Sequence, residues 1–114
     1  MTDRELLELA AKAAGMELDY TIRPDKKAFY HSERNALALV DGGWFAPLTD
    51  DGDALRLAVK LAIDFKIRNG ATWWDCLKSD GFVYWGHEPH NDDPLAATRR
   101  AIVRAAAEIG RQMP

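Results

Sequence analysis

The chain has 114 residues, 47% hydrophobic and 29% charged, and these proportions are typical of a folded domain rather than a disordered segment. A formal net charge of −3 argues against a nucleic-acid or membrane-surface protein, and no apolar run approaches membrane-spanning length. A lone cysteine, Cys76, excludes an internal disulfide and suits a reducing cytosol, and the charged N-terminus leads into a helix rather than a secretory signal. We therefore expect a single soluble, cytoplasmic domain over residues 1–114.

The first half of the chain predicts one helix followed by short strands. Leucines and alanines recur at helical spacing over residues 2–14, and Thr2 or Asp3 can cap that helix. Residues 18–22 then alternate apolar and polar side chains, which indicates a strand with one buried face. A second strand is predicted over residues 36–40, which are apolar and are followed by a glycine-rich turn.

The middle of the chain predicts a second helix and then a strand meander. Thr49, Asp50 or Asp51 can cap the helix, and the acidic side chains complement the positive end of its dipole. An Asn-Gly pair at residues 69–70 is a strong hairpin signal between alternating segments. We therefore expect a three-stranded antiparallel meander over residues 63–87.

The end of the chain predicts a loop and a third helix. Residues 86–92 are predicted as a polar loop, and Asp93 and Pro94 are typical of a helix cap and of the first helical position. An apolar stripe at helical spacing continues to about residue 109. The element order predicts an α+β fold, a helix–sheet–helix (α/β/α) sandwich with three helices and a mainly antiparallel sheet of about four to five strands.

Three stretches of the chain are distinctive as a set. They are residues 2–15, TDRELLELAAKAAG; residues 44–61, WFAPLTDDGDALRLAVKL; and residues 93–110, DPLAATRRAIVRAAAEIG. Together they resemble the phage ABA sandwich domain group, small proteins of tailed bacteriophages and prophages whose function is unknown. The resemblance implies an α/β/α sandwich and a phage or prophage origin, and therefore the host cytoplasm. It brings no activity and no catalytic residue, and it leaves residues 16–43 and 64–90 unmatched.

Two polar clusters contain residue types that can bind a metal ion. The carboxylates of Asp50, Asp51 and Asp53 suit Mg²⁺ or Ca²⁺, but they lack the ligand order of an EF-hand, and helix capping explains them without a metal. His87 and His90 can bind zinc or transfer protons, but the proline between them argues against a helical zinc motif. The sequence favours capping and a solvated loop, and we predict no metal site and no cofactor.

Four aromatic residues lie on two neighbouring strands of the predicted meander. They are Trp73 and Trp74 on one strand and Tyr84 and Trp85 on the next. Because adjacent residues of a strand point to opposite faces, neither pair fits within one face. If helices cover both faces, all four belong to the core. If one face is bare, part of the set forms an aromatic patch for protein–protein contact.

Two further features have simpler interpretations than catalysis or nucleic-acid binding. No histidine lies near Cys76 in the sequence, so Cys76 is interpreted as a small buried hydrophobe on a strand. Arg99, Arg100, Arg104 and Arg111 can contact phosphates, but the acidic chain favours a solvated helix face, so nucleic-acid binding is not expected.

Two functional hypotheses follow from these features. The first is a non-catalytic phage or prophage accessory protein that binds a host or phage protein through Trp73, Trp74, Tyr84 and Trp85. The alternative is a small metal- or nucleotide-dependent hydrolase that uses the His87/His90 loop and nearby acids. The first is preferred because the sequence has no phosphate-binding loop, no dinucleotide fingerprint and no Gly-x-Ser-x-Gly motif. Nothing in the sequence sets the oligomeric state.

Overall fold

A computed structural model describes residues 1–77 and 81–114 as a mixed α+β fold. Within these residues the structure has three helices and two antiparallel three-stranded sheets. The elements in chain order are α1 (Asp3–Ala14), β1 (Tyr30–His31), β2 (Ala36–Ala38), β3 (Trp44–Phe45), α2 (Asp51–Leu61), β4 (Asp64–Arg68), β5 (Ala71–Leu77), β6 (Val83–Pro89) and α3 (Pro94–Arg111).

The three predicted helices are confirmed, and each begins at a residue that can cap it. The Thr2 hydroxyl accepts from the Glu5 backbone N–H, and the Glu5 carboxylate accepts from the Thr2 N–H, which completes a capping box. The Asp50 carboxylate accepts from the Asp53 N–H at 2.8 Å, and Asp93 caps α3 in the same way. These bonds satisfy N–H groups that the first helical turn leaves unpaired.

The predicted meander is confirmed as the sheet β4-β5-β6. Asn69 and Gly70 turn the chain between β4 and β5 with φ angles of 52° and 72°, the left-handed conformations that a two-residue hairpin requires. The predicted single sheet of four to five strands is not confirmed, because β1, β2 and β3 form a separate sheet.

The strand predicted over residues 18–22 is wrong, because only Leu18 pairs, in an isolated bridge with Leu39. The Asp19 carboxylate accepts from both the backbone N–H of Thr21 at 2.8 Å and its hydroxyl at 2.6 Å. This local turn competes with sheet pairing and redirects the chain. The apolar side chains at the end of this alternating segment, Tyr20 and Ile22, are therefore exposed to solvent.

The polar loop predicted over residues 86–92 is wrong in its first half. The strand β6 continues to Pro89, which pairs with Ala71 at the start of β5. Polar side chains are compatible with this strand because one face of an antiparallel sheet can lie in water. The proline is tolerated because it stands at the last residue of an edge strand.

The helices pack against the sheets and against one another. The β4–β6 sheet packs on α3, the β1–β3 sheet contacts α1, and α1 and α3 pack together. The α1–α3 contact is very close, since a Cβ atom at Gly110 would overlap the carbonyl oxygen of Leu9. Small side chains permit this approach. The alanines that are fully buried on the two helices are Ala10, Ala11, Ala101, Ala105 and Ala106.

Candidate protein-binding face

One face of the β4–β6 sheet lies on α3 and the other is open to solvent. Thr72 is fully buried, and its hydroxyl lies 2.7 Å from that of Thr98 on α3. Cys76, four residues further along β5, is also buried in the core, as predicted. Trp73 and Leu77 occupy the alternate positions and are exposed by 38% and 68%. Alternation along β5 therefore assigns Trp73 and Leu77 to the open side.

The strand register extends this assignment to the neighbouring strands. Trp73 is paired with Lys66 on β4 and with His87 on β6, and Asp75 is paired with Trp85. Paired residues share a face of the sheet. We define the open face by this register as Asp64, Lys66 and Arg68 on β4; Ala71, Trp73, Asp75 and Leu77 on β5; and Val83, Trp85, His87 and Pro89 on β6.

Three aromatic rings stack across the open face and form what we call the aromatic column: His87, Trp73 and Trp85. The Trp73 and His87 ring centroids are 4.6 Å apart with planes inclined by 24°. The Trp73 and Trp85 centroids are 6.1 Å apart with planes inclined by 29°. Trp73 thus lies between two rings, whereas Trp85 remains 68% exposed. Stacking of this kind contributes about 0.5–1.5 kcal/mol per pair and holds the rings in place.

The open face combines an apolar strip with a charged border. Leu77, Val83 and Trp85 are large, exposed hydrophobic side chains near the column. The border on β4 carries charges of both signs, Asp64 beside Lys66 and Arg68. A groove of about 490 Å³ runs along the column, with walls that include Asp64, Lys66, Trp73, Asp75 and Trp85.

The other two aromatic residues of the predicted set face the helix. Trp74 and Tyr84 are partly buried and pack against the hydrophobic core. The Trp74 indole lies over Gly86, its cross-strand partner, where a Cβ atom would be 2.5 Å from the ring carbon Cζ2. Its Nε1 is buried without a hydrogen-bond partner among the residues that the structure describes. The structure therefore divides the set, with only Trp73 and Trp85 on the open face.

The two candidate histidines lie on different sides of the sheet. His87 belongs to the open face, whereas the His90 Nε2 lies 3.0 Å from the Thr72 hydroxyl on the helix side. The His90 backbone N–H also donates to the Gly70 carbonyl at 2.8 Å. His90 and the threonine pair Thr72–Thr98 thus connect α3, β5 and the end of β6. The sequence placed Thr98 on the core face of α3 but predicted neither its contact with Thr72 nor that of His87 with Trp73.

The three candidate carboxylates at the start of α2 are engaged by the helix end and by two arginines, with Arg56 contacting both Asp50 and Asp53. Asp50 caps the helix, Asp53 accepts from Arg56 at 2.6 Å, and Asp51 accepts from Arg99 at 2.7 Å. All three lie at the N-terminus of α2, where they cap the helix or occupy its first turn. Within residues 1–77 and 81–114, no group of three or more histidine, cysteine or acidic side chains is arranged to hold a metal ion.

The arginines of α3 form ion pairs with carboxylates. Arg100 contacts Asp3 on α1 through two hydrogen bonds of 2.9 and 3.2 Å. The hydrogen bond from Arg100 lowers the pKa of Asp3, a second one from Asn35 acts in the same direction, and burial opposes both. The same pairing raises the pKa of Arg100. The remaining pairs are Arg99–Asp51, Arg104–Glu88 and Arg111–Glu108.

Comparisons of the chain with protein-family models, with curated proteins and with solved structures found no match. No helix in the described part of the chain is both long enough and apolar enough to cross a membrane. The function must therefore be inferred from the open face itself.

Proposed function

We propose that this chain is a non-catalytic, protein-binding accessory domain of a bacteriophage or prophage, and that it holds a host or phage protein on its open face in the host cytoplasm. The observation that carries the binding role is the aromatic column, with Trp85 exposed by 68% beside Trp73. Membership of the phage group rests on the resemblance of residues 2–15, 44–61 and 93–110.

The free energy of binding comes mainly from burying the apolar strip. Leu77, Val83 and Trp85 are large side chains that water now surrounds. Removing apolar surface from water contributes about 25 cal/mol per Å², and tryptophan is among the residues that most often dominate an interface. Contiguous exposed apolar patches are uncommon on proteins that act alone.

The aromatic column makes the strip suitable for tight binding. Trp73 is held between His87 and Trp85 before any partner arrives, so less side-chain entropy is lost on association. The border of Asp64, Lys66 and Arg68 supplies charges of both signs at the edge of the strip. Such a border contributes more to orientation and specificity than to affinity. We therefore expect a partner with an apolar centre and a rim of mixed charge.

The hydrolase alternative has no supporting observation among the described residues. His87 and His90 do not converge, and the acids near α2 are engaged with a helix end and with arginines. A general base must lie within hydrogen-bond reach of the group that it activates, together with a site for the substrate. The described side chains do not form such an arrangement.

The test is affinity capture from host cells, followed by titration of the purified partner. Trp85→Ser removes a ring of the column that is 68% exposed, and Val59→Ser is its control, since Val59 is 73% exposed on α2. We expect the wild type and Val59→Ser to retain the same protein and Trp85→Ser to lose it. In titration, the Kd should rise about 30-fold or more for Trp85→Ser, as for a central interface residue.

Two results of this experiment would contradict the proposal. One is capture of the same proteins in equal amounts by Trp85→Ser and the wild type. The other is equal loss in both variants, which would indicate a general effect of removing exposed apolar groups. Circular dichroism of each variant checks that the fold is retained. Because Trp85 is largely exposed, its replacement should change the free energy of unfolding little.

A further inference from the structure

Among the residues that the structure describes, no strand pairs with the outer edge of β4. It is the outer strand in the order β4-β5-β6, and all five of its residues are exposed. The helix α3 lies mainly over β5 and β6. Phe65 and Ile67, which point to the helix side of the sheet, are therefore left 36% and 62% exposed. An edge with unpaired backbone groups and exposed apolar side chains is a template for a further strand.

The register shows which backbone groups of β4 are available. In a two-residue hairpin the residues that flank the turn, Arg68 and Ala71, form a hydrogen-bonded pair, and such pairs recur at every second residue. The Gly70 carbonyl accepts from the His90 N–H, on the β6 side of β5. This bond agrees with the alternation, because it leaves the backbone groups of Ala71 directed toward β4. The N–H and C=O groups of Phe65 and Ile67 therefore point outward from the sheet.

We propose that β4 pairs with β4 of a second copy of this chain, antiparallel and about a twofold axis at Lys66. In that register Asp64 lies opposite Arg68 of the partner subunit, and Phe65 lies opposite Ile67 of the partner subunit. Every outward N–H of the two strands then meets an outward carbonyl. The sequence of β4, Asp-Phe-Lys-Ile-Arg, is thus complementary to itself in charge and in apolar pattern.

The register is selected by hydrogen bonding and by charge. A shift of one residue would set outward groups against residues whose groups already bond to β5, and it would mismatch the faces. In the proposed register the two Lys66 side chains meet at the axis. Each of them has one Asp64 and one Arg68 on its own strand, and one of each diagonally across on the partner subunit, so their charges largely cancel at the axis and the favourable charge pairing comes from the two Asp64–Arg68 pairs at the ends. Phe65 and Ile67 of both copies form one continuous apolar floor.

The pairing goes beyond the proposed function and shares with the open face only its β4 border, Asp64, Lys66 and Arg68. It uses the edge of β4 and leaves the aromatic column accessible. A twofold axis perpendicular to the sheet places both open faces on the same side of the joined sheet. A dimeric partner would then engage two columns at once, and its apparent affinity would increase without any new contact.

The test is the oligomeric state of the purified full-length protein, measured over a range of concentrations by analytical ultracentrifugation. We expect the wild type to be a dimer at high concentration. Asp64→Arg sets two basic groups opposite each other at both ends of the pairing, and Arg68→Asp sets two acidic groups there. Each single variant should raise the dimer Kd about tenfold or more, whereas the double variant restores the pairing and returns the Kd to near the wild-type value.

Two further variants separate pairing from the proposed function and from general effects of charge. Glu33→Arg makes the same charge change at an exposed position in the turn of the separate β1–β3 sheet and should leave the dimer unchanged. Trp85→Ser should also stay dimeric, since the aromatic column is not part of the pairing. A wild type that is monomeric at every concentration overturns the inference. The inference is also overturned if the double variant dimerises no better than the single variants.

Discussion

At the scale of single residues, Gly86 in the β4–β6 sheet has no room for a side chain. It pairs with Trp74 across the strands, and the indole occupies the space that a side chain at Gly86 would need. A Cβ atom there would stand 2.5 Å from Cζ2 and 2.7 Å from Cε2 of that ring. Because Trp74 packs against the core, the ring cannot move without disturbing its neighbours.

We therefore predict that Gly86→Ala destabilises the protein by about 1–3 kcal/mol, the usual range for overpacking. Urea unfolding followed by tryptophan fluorescence measures this change. Gly52→Ala is the matched control, since a Cβ atom at Gly52 in the first turn of α2 would approach nothing closer than 3.2 Å, its nearest neighbours being the end of Arg56 and the Asp50 carboxylate. The control should be neutral or stabilising. A Gly86→Ala variant as stable as the wild type would show that the ring is not constrained.

At this scale the sequence predicted which aromatic residues share a face of the sheet, but not which face is covered by a helix. Strand alternation required Trp73 and Trp74 to occupy opposite faces, and they do. The sequence carried no information on which face α3 would cover, because both faces hold a tryptophan. His87 was interpreted as a loop residue, so its position two residues after Trp85, on the same face, went unused.

At the scale of elements, the contact of α1 with α3 depends on small residues. Gly110 lies against the backbone of Leu9, and fully buried alanines line the same contact. We predict that Gly110→Ala destabilises the protein by about 2 kcal/mol or more, because the helices must separate. Helix propensity alone predicts a gain of about 1 kcal/mol for the same change. The free energy of unfolding of Gly110→Ala, measured by chemical denaturation, distinguishes these two expectations. A variant more stable than the wild type would disprove the close contact.

Helices were easier to predict than strands because their signals are local. Capping residues at Thr2, Asp50 and Asp93 mark the three helix starts within a few positions of the sequence. The strand predicted over residues 18–22 failed because the side chain of Asp19 forms a turn that the alternation pattern does not reveal. The strand β6 was cut short because polar residues on an exposed sheet face resemble a loop.

At the scale of the whole molecule, the arrangement of the sheets is the feature that local patterns did not reveal. The elements were predicted to form one sheet between helices, whereas the strands of the described residues divide into two sheets. Pairing between distant strands depends on how helices pack, and no single segment encodes it. The open face is a direct consequence, because α3 packs on one side of the β4–β6 sheet and the aromatic column lies on the other.

The ion pair between α1 and α3 makes the stability of the whole molecule depend on pH. Arg100 holds the pKa of Asp3 below its ordinary value of 3.8, so the folded state binds this proton less readily than the unfolded state. The stabilisation is therefore complete above about pH 4 to 5 and is lost as the pH falls through the lowered pKa of Asp3. Because both side chains are 34% exposed, solvent screening limits it to about 1 kcal/mol.

We accordingly predict that Asp3→Asn is less stable than the wild type by about 1 kcal/mol at pH 7, and that this difference narrows as the pH falls below about 4. Urea unfolding at a series of pH values measures both quantities. Glu33→Gln, at an exposed site, is the control and should follow the wild-type curve. A difference that stays constant down to pH 2 would mean that Asp3 acts through its shape and its bond to Asn35 rather than through its charge.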